Sequence, residues 1–84
     1  MQIAEAANTW EPAFYLLKEK KYVIEPELDE SENIVGWSAK KEDLIVYAAS
    51  PLSLLGLVTL AETYGENWRK LDCRGLMDQL IGND

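Results

Sequence analysis

Histidine is absent from the 84 residues, which removes the usual general base near neutral pH and the commonest metal ligand. A single cysteine, Cys73, excludes an internal disulfide and a cysteine-built zinc site. Basic residues are scarce: eight Lys and Arg stand against fifteen Asp and Glu, for a formal net charge of −7. A nucleic-acid duplex or an anionic bilayer repels such a chain at long range, so neither is an expected partner. Glycine-rich phosphate loops, nucleophile elbows and zinc-ligand spacings are also missing, and no catalytic or cofactor-binding residues are assigned. The longest apolar-rich stretch, residues 44–61, abuts Asp43 and is cut by Ser50-Pro51. It reads as a buried strand followed by a buried helix rather than a membrane span. The first eight residues lack the basic start and apolar core of a secretory signal; with a free thiol, this predicts a cytoplasmic protein.

What is present is the make-up of a folding globule: 48% hydrophobic residues, 27% charged ones, three Trp and four Tyr. The length suits one domain over residues 1–84, with no repeat or linker dividing it. Thr9 is placed to cap a first helix that tolerates Pro12 in its opening turn. Trp10, Ala13, Phe14 and Leu17 fall on one apolar stripe of that helix, and Lys18, Lys20 and Lys21 meet the negative end of its dipole. Residues 22–28 alternate as a strand, Tyr22, Ile24 and Leu28 facing inward and Glu25 and Glu27 outward. Pro26 lacks an N–H, which assigns this strand to a sheet edge. After the polar turn 29–33, residues 34–40 return as a second strand, with Val35, Trp37 and Ala39 on its core face. A tight turn leads to a third strand over 44–49, apolar on both faces. Connections this short favour antiparallel hairpins and hence a meander.

Ser50-Pro51 is a helix start, a capping hydroxyl followed by proline at the first position. The helix over 51–64 carries one charge, Glu62, and is therefore expected to be buried around most of its circumference. Gly56 inside it costs about 1 kcal/mol against alanine, explicable by close approach to a strand or to the first helix. A last helix over residues 71–81 places Cys73, Leu76, Met77 and Leu80 on one stripe and closes at Gly82. The fold predicted is α+β: a small single domain with a three-stranded antiparallel meander packed on one face by helices, in the order α-β-β-β-α-α.

The densest charge feature is Glu25, Glu27, Asp29, Glu30 and Glu32, with no base among them. It reads either as an acidic ribbon that docks a basic partner or as a solvated hairpin that keeps an edge strand from pairing. Asp29, Ser31 and Asn33 imitate the first ligands of a calcium loop, but Ile34 stands where that loop needs glycine and Lys40 where it needs glutamate, so no metal is expected. Cys73, without a histidine to activate it, is expected as a small core residue; Arg69, Lys70 and Arg74 nearby leave a redox role as the alternative. Trp37 is assigned to the core, whereas Trp68, beside Arg69 and Lys70, is the candidate for an exposed anchor. Tyr64-Gly65-Glu66-Asn67, with Leu71 and Asp72-Cys73, resembles a short stretch of the barstar family of acidic ribonuclease inhibitors. That family's sheet is parallel, and neither its fold nor its binding residues carry over.

Two functions are expected from these residues. The first is a non-enzymatic protein-binding module, an inhibitor, immunity-type or regulatory protein that engages a basic partner through the acidic hairpin and Trp68. The second is a structural role as a homo-oligomer or subunit of an assembly, paired through leftover apolar surface at Ile45, Tyr47 or Leu57.

Overall fold

The computed structural model describes residues 1–82 and bears out the order read from the sequence. Helix α1 (Trp10–Glu19) leads into strands β1 (Val23–Leu28), β2 (Ile34–Lys41) and β3 (Leu44–Ala48), followed by α2 (Pro51–Tyr64) and α3 (Leu76–Ile81). The sheet order is β1-β2-β3 and both pairings are antiparallel. Ile24, Ala39 and Val46 share one row across the sheet, so a single face carries the apolar residues that meet α1 and α2. Leu17, Tyr22, Ala39, Val46, Leu54 and Val58 form the core, with Ile24, Trp37, Leu44, Ala48 and Leu55 packed at its margin. Ala39 at its centre has the small side chain that lets helices settle close to the middle strand. Phe14 and Trp37 meet as a tilted aromatic pair, centroids 4.7 Å apart, which fastens α1 to β2.

A polar tie closes the same face at its other end. The Tyr22 hydroxyl donates to Glu62 Oε2 at 2.9 Å and Lys20 Nζ donates to Glu62 Oε1 at 3.0 Å, joining the end of α1 and the start of β1 to α2. These bonds hold the Glu62 carboxyl below its usual range, the lysine contribution first and the tyrosine second. Burial, then the carboxylate beside it, pushes the Tyr22 phenol up to about 12.

Several expectations are corrected. Thr9 does not cap α1: its hydroxyl donates to the Ala6 carbonyl at 2.6 Å and closes a 3-10 turn over Ala7–Thr9 that runs straight into the helix. Ser50 behaves as expected, its hydroxyl accepting from the Ser53 N–H at 3.2 Å. Helix α2 buries one stripe only, Pro51, Leu54 and Val58, toward the sheet and α1, and its opposite side is open among the described residues. Gly56 sits on that open side, where an added Cβ meets nothing within 4 Å, so close approach does not explain it. Residues 65–70 form a 3-10 run rather than an open loop, and the last helix begins at Leu76, five residues later than expected. Gly75, at φ +75°, breaks the chain direction ahead of it. Cys73 is exposed, as are Leu76, Met77 and Leu80. The stripe exists in the sequence, but among the described residues it is left exposed rather than packed.

Candidate protein-interaction surface

β1 and β2 are longer than β3. β3 ends at Ala48, opposite Trp37, so among the described residues Ile34 and Val35 have no strand partner on that side and the tip of the β1–β2 hairpin projects past the sheet as a two-stranded ribbon. Val35 is an extra residue in β2: Glu27 pairs with Gly36 and Leu28 with Ile34, leaving Val35 bulged between them. The bulge and the overhang correct the facing read from the sequence. Leu28 and Val35 do not reach the core; with Ile34 they are exposed, Val35 to 60%.

The five acidic residues of the hairpin fall into two roles. Asp29 is consumed by the turn itself: its Oδ1 accepts from the backbone N–H of Ser31 and of Asn33, both at 2.9 Å. Those donors, Asn33 first, hold its carboxyl below the usual range. It is a tip organiser, not a free acceptor. Glu25, Glu30 and Glu32 are exposed, Glu27 is half-buried beside Gly36, and among the described residues no Lys or Arg pairs with any of them. Glu25 and Glu27 alternate with Ile24 and Pro26, and so lie on the sheet face away from the helices.

Trp68 is exposed, to 45%, but the fold does not bring it to the carboxylates. It stands at the opposite margin of the sheet, where Ile45, Tyr47, Leu57, Leu60 and Trp68 line a groove of about 420 Å³. Arg69, stacked 5.3 Å from the Trp68 ring, is the only charged residue of that lining. Tyr47, 62% exposed, is shared between this groove and a shallower depression of about 310 Å³ beside Glu27, Val35 and Gly36. Adding a Cβ to Gly36 would bring it to 3.0 Å from the Ala48 carbonyl oxygen, which explains glycine there.

The sequence reading missed Leu28, Ile34 and Val35 as surface residues. No signal in the sequence marks them: the strands read there are of nearly equal length, and the bulge at Val35 and the end of β3 at Ala48 are set by the pairing register. Among the described residues no group of three possible metal ligands is gathered, and no helix is long and apolar enough to cross a membrane. No protein-family model, curated protein or solved structure matches the chain.

Proposed function

We propose that the chain is a non-catalytic protein-binding module of the cytoplasm, which blocks or regulates a basic partner protein through the β1–β2 ribbon. The observation that carries this reading is the ribbon's make-up. Three exposed apolar residues, Leu28, Ile34 and Val35, share it with four carboxylates, Glu25, Glu27, Glu30 and Glu32, that form no ion pair among the described residues. An apolar centre supplies binding energy on desolvation, and a rim of one charge sign steers and selects the partner. Lys or Arg on the partner would complete charge-assisted hydrogen bonds to the four glutamates. A reducing compartment suits the exposed thiol of Cys73.

The test is capture from extract of the source cell on immobilised protein, at low and high salt, beside a variant carrying Glu25→Gln, Glu27→Gln, Glu30→Gln and Glu32→Gln. A basic protein retained by the unchanged chain, released by salt and not retained by the variant is the expected result. Retention indifferent to both salt and the four substitutions refutes the reading.

A second reading, self-association or membership of a larger assembly, is favoured by a separate observation. The accessible surface is 7148 Å², whereas a folded monomer of 9.5 kDa exposes about 5,000 Å². The Cα radius of gyration is 15.2 Å, against about 12 Å for a compact chain of this length. Much of the surplus of roughly 2,100 Å² belongs to residues 1–8 and 62–82, all of them exposed, among them the apolar Leu71, Leu76, Met77, Leu80 and Ile81, which a second subunit would cover.

A further inference from the structure

The two margins of the sheet are built oppositely. β1 carries Pro26, which has no N–H to offer, and the outward glutamates Glu25 and Glu27, both common devices that stop a sheet from growing. β3 has neither. Leu44-Ile45-Val46-Tyr47-Ala48 contains no charge, no proline and no glycine, and among the described residues no strand pairs with its outer side. Beside it runs the groove of Ile45, Tyr47, Leu57, Leu60 and Trp68, all exposed.

We infer that β3 is the dimer interface of this protein: two copies pair their β3 strands antiparallel about a two-fold axis at Val46, joining two sheets into one of six strands. This rests on the self-association reading above and adds a place and a register to it. Pairing about Val46 sets Ile45 opposite Tyr47 of the second copy, twice, an aromatic against a β-branched side chain, which is a favourable cross-strand match. Leu44 falls opposite Ala48, and Asp43 opposite Ala49, so no two like charges face each other along the junction. Charge also selects this margin. At −7 per chain, self-association needs a contact away from the acidic hairpin. The two β1 strands in such a dimer lie five strand spacings apart, about 24 Å, and physiological salt screens charges beyond about 8 Å. An interface of this class takes on the order of 1,000 Å² or more from each partner, and the exposed Ile45, Tyr47, Leu57, Leu60 and Trp68 beside the strand contribute apolar area to it.

Sedimentation equilibrium on the full chain, with two paired-substitution variants, tests the register. The unchanged protein is expected at twice its monomer mass, about 19 kDa. Ile45→Lys with Tyr47→Lys places lysine opposite lysine at both positions and is expected to give monomer with an unchanged circular-dichroism spectrum, although it lowers the net charge that opposes association. Ile45→Lys with Tyr47→Glu places lysine opposite glutamate twice and is expected to restore the dimer. In a Cys73→Ser background, spin labels at Val23→Cys are expected to report a backbone separation of about 25 Å from the strand spacing and rise. A monomer at every concentration overturns both this pairing and the self-association reading. A dimer that persists in the lysine–lysine variant, or a label separation far from that value, overturns the β3 pairing and leaves self-association standing. If the lysine–lysine variant unfolds, the label distance in the otherwise unchanged chain decides.

Discussion

Replacing Tyr22 by Phe removes one hydroxyl at the seam between α1, β1 and α2, and its effect on stability should change sign with pH. Tyr22 is 5% exposed and, among the described residues, its hydroxyl bonds only to Glu62, at 2.9 Å. At pH 7 the substitution leaves Glu62 still bonded to Lys20 and open to water. The loss is therefore that of one hydrogen bond to a charged acceptor, moderated by solvent, about 1 kcal/mol. At high pH the phenol must ionise. Its folded pKa is raised to about 12, while the unfolded value is near 10. A group raised in the folded state stabilises fully below the unfolded value and loses that contribution as pH climbs toward the folded one. By pH about 11.5 the unchanged protein has lost on the order of 2 kcal/mol from this phenol alone, whereas the phenylalanine variant has no such group. Other titrations occur in both proteins and cancel in the difference. Urea unfolding followed by tryptophan fluorescence from pH 7 to 11.5 should show the unchanged protein more stable at neutral pH, the two curves crossing near pH 11, and the variant more stable above. A difference that stays flat with pH would mean that the buried phenol and its carboxylate partner do not sit as described.

Two glycines should respond oppositely to alanine. Gly56→Ala on the open side of α2 should stabilise by about 0.5 to 1 kcal/mol, while Gly36→Ala should destabilise by about 1 to 3 kcal/mol, because its Cβ would press on the Ala48 carbonyl; thermal unfolding of both variants checks the signs. Cys73 should react with a thiol reagent in the native protein as fast as in urea, since it is exposed, and Cys73→Ser should leave the melting temperature unchanged.

The residues that alternate most cleanly were the ones read correctly. Tyr22 just ahead of β1 and Ile24 on it, Trp37 and Ala39 on β2, and the Ser50-Pro51 start of α2 all lie where period and capping chemistry place them. Local patterns of this kind are decided by neighbours in the chain, which is why they are legible. The errors share a different cause. Val35 and Leu28 continue an alternating pattern, but a bulge and the early end of β3 carry them past anything they could pack on. Leu57, Leu60, Leu76 and Leu80 are apolar at helical spacing, and periodicity identifies a face that prefers to be covered without saying which molecule covers it. The carboxylates of the hairpin were legible as a group. That Asp29 is occupied by its own turn depends on backbone geometry at Ser31 and Asn33, which composition does not carry.

A sheet whose first margin is sealed by Pro26 and two glutamates, and whose last margin is bare, has one direction in which to grow. Any strand added to β3 by another copy consumes both bare margins at once and turns two sealed ones outward. Assembly then stops of its own accord, and a chain this greasy on its surface is spared the endless stacking that leads to fibres.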